Sequence, residues 1–313
     1  MARKGKRLWI LWASSLALFC LLCRAFPAFL RERLSHPLTM ALHRLTAHVP
    51  FPVSEPLTFA VGVAALLALV SAVLRALLRR RMEPLLRWLH GVAAAALALA
   101  TLLAVAWLPA MFAPADLPPE PDANQLAWLC DALVDRLNAA PLDFPVSAEA
   151  LRLAPGVAGL PDCMVKAARY PEWMRAGGVS GLFAPPTGEA VVDASAPAAL
   201  LPFTAVHELM HLRGIADEGA ANIAAWQRCA DAGGAFADSA RLWALRYAAG
   251  LLARDDPDAW ARIRGNMKDP LARVFGQSGG EIVPSSGTSA LPGLSPVRGD
   301  YAALAHWLAG KKT

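Results

Sequence analysis

Histidine is scarce in this chain: seven in 313 residues, and none between positions 212 and 305. That gap excludes a zinc site of the HExxHxxGxxH kind. Cysteine is also sparse. Cys20 and Cys23 sit in an apolar run, and Cys130, Cys163 and Cys229 are scattered further on. The downstream half has no CxxC pair, which argues against a cysteine zinc site. A Cys130–Cys163 disulfide stays open for a domain outside the cytoplasm, although an odd count leaves a thiol over. Acidic residues are nearly missing at the start: residues 1–112 carry 13 Lys/Arg against 3 Asp/Glu, the remainder 17 against 22. The later part therefore lacks the basic patch that nucleic acid requires, and no such partner is expected. No small-x-small cleavage site follows the first apolar run, and Phe19 and Leu22 precede the cysteines where a lipoprotein would have a small residue. The run is thus expected to be a retained anchor. There is no internal repeat.

What the chain has in excess is apolar sequence, 56% of its residues. Three runs, Leu8–Cys23, Leu57–Leu74 and Trp88–Leu108, precede residue 113. They read as three N-terminal transmembrane helices at about 8–26, 57–78 and 88–110 in a membrane anchor of residues 1–112. Arg3, Lys4, Lys6 and Arg7 open the chain, and Arg75, Arg79, Arg80, Arg81 and Arg87 fill the second loop. The longer first loop holds only Arg31, Arg33 and Arg44 beyond Arg24. By the positive-inside rule the N-terminus is cytoplasmic, and everything after residue 112 is extracytoplasmic in a multi-pass protein of the cell membrane. The segment Pro37–Leu45 has helical apolar spacing and suits either the membrane surface or an ordinary connector.

Residues 113–124 are Pro-rich and acidic, a linker. Residues 125–313 read as a compact domain. Helices are expected at Gln125–Leu137, Pro202–Leu212, Glu218–Cys229, Ala237–Arg254, Asp258–Asn266 and Tyr301–Leu308. Two short strands should flank the turn at Pro185. Residues 275–299 read as an exposed loop. The whole is of the α+β class, mostly helical with a small β-sheet.

The chemistry concentrates in Pro202-Phe-Thr-Ala-Val-His-Glu-Leu-Met-His, an HExxH motif. On a helix, residues i and i+4 share a face, so His207 and His211 can offer two imidazoles to one ion. Glu208, beside the first of them, can take a proton from metal-bound water as general base. A catalytic zinc needs a third protein donor and one open position. Gly214 lets the chain turn, Asp217 can cap the next helix, and Glu218 stands in its first turn. Glu218 is the favoured third ligand and Asp217 the fallback. Asn222, one turn on, lies on the same face and could orient a ligand from behind. Two residues are candidates for the cleft: Glu189, which could equally be an exposed hairpin acid, and Tyr247, which could equally be core. The remaining histidines, His36, His43, His48, His90 and His306, read as interfacial or solvated.

Three blocks carry a resemblance: Gly181-Leu-Phe-Ala-Pro-Pro-Thr-Gly-Glu-Ala-Val-Val-Asp, Leu201-Pro-Phe-Thr-Ala-Val-His-Glu-Leu-Met-His and Gly214-Ile-Ala-Asp-Glu-Gly-Ala-Ala-Asn. They resemble the bacterial membrane family known as domain of unknown function 3810, a gluzincin-like group that reads PFT, HELAH and then G-F-A-R-E-D-E-A-N. Val49-Pro-Phe-Pro-Val-Ser-Glu-Pro is similar to its membrane half. The chain departs from the pattern at Gly219 and Ala220, where the family has Asp-Glu. The resemblance implies one Zn2+ held by His207, His211 and Glu218, with Glu208 as base, in a zincin-like domain. The expected activity is that of a membrane-anchored zinc metallopeptidase hydrolysing peptide bonds, with a peptide or protein substrate and a lipid bilayer as partners. The rival reading is a non-catalytic zincin-fold membrane protein, a sensor or assembly factor. Neither substrate nor oligomeric state is legible.

Overall fold

The computed structural model describes residues 2–112, 119–282 and 303–310. Helices α1 (Ala2–Ala25) and α2 (Pro27–Leu30) lead through a π-helical turn, Arg31–Ser35, into α3 (His36–Ala47). The long helices α4 (Ser54–Arg79) and α5 (Glu83–Met111) follow, then α6 (Ala123–Asn138) and α7 (Ser147–Val157). Next come β1 (Val165–Ala167), α8 (Pro171–Ala176), β2 (Gly181–Ala184) and β3 (Glu189–Val192). The chain ends with α9 (Leu201–Leu212), α10 (Glu218–Ala232), α11 (Gly234–Asp255), α12 (Pro257–Gly265), α13 (Asp269–Gln277) and α14 (Ala303–Gly310). The protein is thus mostly helical with one three-stranded sheet. It divides into two compact units, Met1–Ala113 with Ala184–Glu189, and Pro114–Phe183 with Ala190–Thr313.

In the first unit, α4 and α5 are long and apolar enough to cross a membrane. They pack on each other, and the Trp88 indole Nε1 donates to the Ala65 carbonyl at 3.2 Å. Their other faces stay bare: Leu67 is 64% and Leu78 83% exposed. Such a surface is compatible with lipid and costly in water. The first apolar run behaves differently. Trp12–Ala25 and Pro27–Ala47 meet the same criterion only as a pair bent by 112°, a broken span or a re-entrant loop. Pro27 lacks an N–H, so the helix cannot run straight through it. The expected three spans are therefore two straight ones, and a third only if the bent pair counts as one.

The turn of residues 184–189 belongs to this first unit. His43 is buried and its Nδ1 donates to the Gly188 carbonyl at 2.8 Å; Thr46 Oγ1 donates to the Thr187 carbonyl at 3.1 Å. Burial of His43 corrects the expectation of an interfacial or solvated ring. Gly188 has φ +66, and a Cβ there would lie 2.6 Å from both the His43 nitrogen and the Thr39 carbonyl oxygen. Only glycine fits. Glu189, 1% exposed, accepts the backbone N–H groups of Val53 at 2.7 Å and Ser54 at 2.8 Å. These are the N-cap and first residue of α4, whose unpaired N–H groups and positive dipole end attract a carboxylate.

In the second unit, α9 is buried along its whole length and packs against α7, α10 and α11. Sheet order is β1-β3-β2, and β1 runs parallel to β3 with Val165 opposite Ala190 and Ala167 opposite Val192. β1 was not expected; three residues are too few to show a period. α7, α8 and α13 were also missed, and α13 replaces the start of the expected 275–299 loop. Residues 283–299 of that loop, residues 113–118 of the linker and Tyr301 lie outside the described residues. His306 is buried on α14, which packs on α6 and α10, and is not a solvated terminal residue. No disulfide joins the five cysteines, so the Cys130–Cys163 bridge is not formed. Burial pushes the Cys130 thiol up to about 12.

Replacing Glu189 by Gln should remove the charge from the α4 cap and cost about 1–2 kcal/mol. Thermal melting of the full chain in detergent measures this; an unchanged midpoint would show that the cap contributes nothing.

Candidate metal centre

The α9 helix needs help at its first turn, where backbone N–H groups have no partner within the helix. Pro202 removes one, and the Ser239 hydroxyl of α11 accepts the Phe203 N–H at 3.1 Å. Fixed in this way, α9 carries His207, Glu208 and His211 into the interior, all three buried. The helix ends at Gly214, φ +85, whose N–H donates to the His211 carbonyl at 2.8 Å; the Ile215 N–H reaches back to Met210 at 3.2 Å. A left-handed glycine closing a helix in this manner is the expected C-terminal stop. Asp217 then caps α10, accepting the Ala220 N–H at 2.8 Å. With its carboxylate so engaged, the fallback ligand is a cap, and Glu218 faces the histidines from the first helical position.

His207, His211 and Glu218 form one cluster of potential metal donors. The His207 Nε2 lies 3.1 Å from the His211 Nε2 and 3.1 Å from the Glu218 Oε2. The third side, His211 Nε2 to Glu218 Oε2, is 3.4 Å. Tetrahedral zinc with bonds of 2.0–2.1 Å separates neighbouring donors by roughly 3.3 Å. The three side chains therefore fit one such ion. The protonation chemistry agrees. His211 Nδ1 donates to the Ile215 carbonyl at 2.7 Å, so its Nε2 is left to present a lone pair inward. Lone pairs so close repel unless a proton or cation stands among them.

The charges respond accordingly. Burial pulls the His211 imidazole down, but the hydrogen bond to Glu218 and the charges of Glu208 and Glu218 outweigh it and hold the ring up at about 9. Burial would raise Glu218, but hydrogen bonds to His207 and His211 hold it far below the usual carboxylate range. Glu208 moves the other way. Its burial raises it above the ordinary carboxylate value, against the opposing pull of the two histidines.

Gly181, in β2, sets the place of Glu208. A Cβ at 181 would overlap the Glu208 Oε1 and lie 2.8 Å from its Cδ. The missing side chain is the space the carboxylate occupies. This part of Gly181 is not legible in the sequence, because a steric relation between distant residues leaves no mark in spacing. Nor are the Ile215 carbonyl, a backbone group, and Phe183 and Phe203, whose rings lie 6.3 Å from His211 and His207 respectively.

The donor cluster does not include the other sequence candidates. Glu189 caps α4 in the first unit. Tyr247 is buried, stacked on Trp243 at 5.5 Å; Trp243 in turn lies 6.0 Å from Phe203. Asn222 is buried on α10, and its Nδ2 has no hydrogen-bond partner among the described residues.

Two outcomes follow from this geometry. Gly181→Ala should displace the Glu208 carboxylate while leaving the three donors in place. Zinc content should be unchanged, and any hydrolytic turnover should fall by about 10- to 100-fold. Separately, His211 in the metal-free chain is raised above its ordinary 6.5, so its contribution to stability is full below that value and lost as pH rises through about 9. The melting temperature of chelator-treated protein should fall across this interval, and the gain on adding zinc should grow. A zinc-induced shift that stays constant over the same range would rule out competition between proton and metal.

No curated protein and no solved structure gives a significant match to this chain. One family model does, that of a protein of unknown function numbered DUF3810, over residues 32–277. That match covers both long apolar helices, the sheet and the whole His-Glu-His-Glu cluster, and the chain accordingly belongs to the family known as domain of unknown function 3810.

Proposed function

We propose that this protein is a membrane-anchored zinc metallopeptidase of gluzincin-like, zincin-fold type, with one ion held by His207, His211 and Glu218. The observation that carries the reading is the triangle of donor atoms, 3.1, 3.1 and 3.4 Å on its sides, beside a buried carboxylate. Bound zinc would supply Lewis acidity, polarising a scissile carbonyl and lowering the pKa of water. Glu208 accepts the proton of the attacking water and delivers it to the leaving amine. A carboxylate whose proton affinity is raised by burial suits both transfers.

The peptide itself has a place to lie. β2 is an end strand of the sheet, and Gly181 within it abuts Glu208. An extended substrate adding to that edge would bring its carbonyl towards the general base. The distribution of arginines supports an extracytoplasmic position for the second unit, with a membrane-proximal peptide or protein as substrate.

Metal analysis of purified full-length protein and turnover of a peptide library test the reading together. Wild type should hold one zinc per chain and cleave. Glu218→Ala should lower zinc affinity by at least tenfold. Glu208→Gln should keep the metal and lose turnover by about a thousandfold or more. Full turnover in Glu208→Gln would overturn the mechanism, and a wild type that binds zinc without cleaving would favour the sensor or assembly-factor reading.

A further inference from the structure

A second site lies in the first unit, at the other end of α4 from Glu189. A cavity of about 570 Å³ opens where α4 ends and α5 begins. Arg75, Arg79, Arg81 and Arg87 line it, with Glu83 and Trp88. Four guanidinium groups thus meet one carboxylate, a local formal charge of +3. Glu83 is engaged with Arg87 at 2.5 Å. Arg75 is steadied along its own helix, its Nη2 donating to the Ser71 hydroxyl at 2.7 Å and its Nε to the Ser71 carbonyl at 3.1 Å. Fixing the stem in this way leaves guanidinium donors over for a ligand.

The backbone adds to the same field. α5 begins at Glu83, with Pro84 in its first turn, and its positive dipole end therefore borders the cavity. Arg80 adopts a left-handed conformation, φ 48, and the Arg81 N–H turns back to the Ala76 carbonyl at 3.1 Å. That reversal is what gathers Arg79, Arg81 and Arg87 around one hollow. Cationic residues that serve only to orient a membrane protein need no concave arrangement.

The floor is of opposite character. Ala68 and Ala72 are small and apolar, and the Trp88 ring stands beside them, its Nε1 bonded to the Ala65 carbonyl. Below the arginines, α4 exposes Leu66 and Leu67. An anion that fits must carry its negative charge at one end and hydrocarbon at the other. We propose that this cavity binds the phosphate-bearing headgroup of an anionic glycerophospholipid. The guanidinium forks take the phosphodiester oxygens, and the alanine floor takes the first acyl carbons. The site is independent of the metal centre and stands or falls without it.

The test uses full-length protein in a neutral detergent, with lipid retention read by native mass spectrometry and thermal stabilisation read alongside. Phosphatidylglycerol should be retained and should raise the melting temperature; phosphatidylcholine should do neither. Inorganic phosphate at millimolar concentration should stabilise far less than the lipid. Stabilisation by phosphate equal to that by phosphatidylglycerol would overturn the lipid assignment. The double variant Arg79→Gln/Arg81→Gln should lose about tenfold or more in phosphatidylglycerol retention. Glu83→Gln, which keeps every arginine and frees Arg87, should gain severalfold and decides the matter if the double variant fails to fold. Equal retention of the two lipids, or no response to either variant, would overturn the proposal.

Discussion

Three lone pairs aimed at one point repel each other, and the second unit is built to hold them there nonetheless. His207 and His211 come from one helix, and Glu218 comes from the first turn of the next. Each is prevented from turning away. α9 is enclosed by α7, α10 and α11, so the imidazoles have nowhere else to go. The caps at Ser239 and Asp217 fix where both helices start. In the absence of metal a proton occupies the convergence, which is why His211 is held up and Glu218 down. That proton relieves the repulsion among the three groups.

Glu208 lies next to this arrangement but answers to a different rule. Its environment favours the neutral acid, whereas Glu218, ten positions later, is kept ionised by the histidines it faces. In the proposed mechanism, two carboxylates with opposed proton affinities would divide the work of holding a cation and moving a proton. The division comes from depth and neighbours, since the two side chains are chemically identical.

Much of this site was legible in the sequence because it is local. His207, Glu208 and His211 follow from helical spacing, and Glu218 from a glycine stop and a cap close behind it. The helices α6, α9, α10 and α11 carry long periods with start or stop signals, and they emerged close to where those signals placed them. The features that escaped are those made by partners distant in the chain or by backbone atoms. Gly181 matters through the volume it lacks. Glu189, met as a hairpin acid, finds its partners at Val53 and Ser54, more than 130 positions earlier. β1 exists because β3 offers it an edge. The bend between α1 and α3 turns on Pro27, whose effect on a hydrophobic run does not register in a count of apolar residues.

The hydrogen bond from His211 to Ile215 has a consequence for how the site can drift in sequence. Its acceptor is a carbonyl, which every amino acid possesses. Position 215 can therefore change its side chain without disturbing the imidazole it orients. The residue that cannot drift is its neighbour Gly214, whose φ of +85 swings that carbonyl into line. The orientation of the imidazole is thus set by a bend in the main chain and not by a side chain.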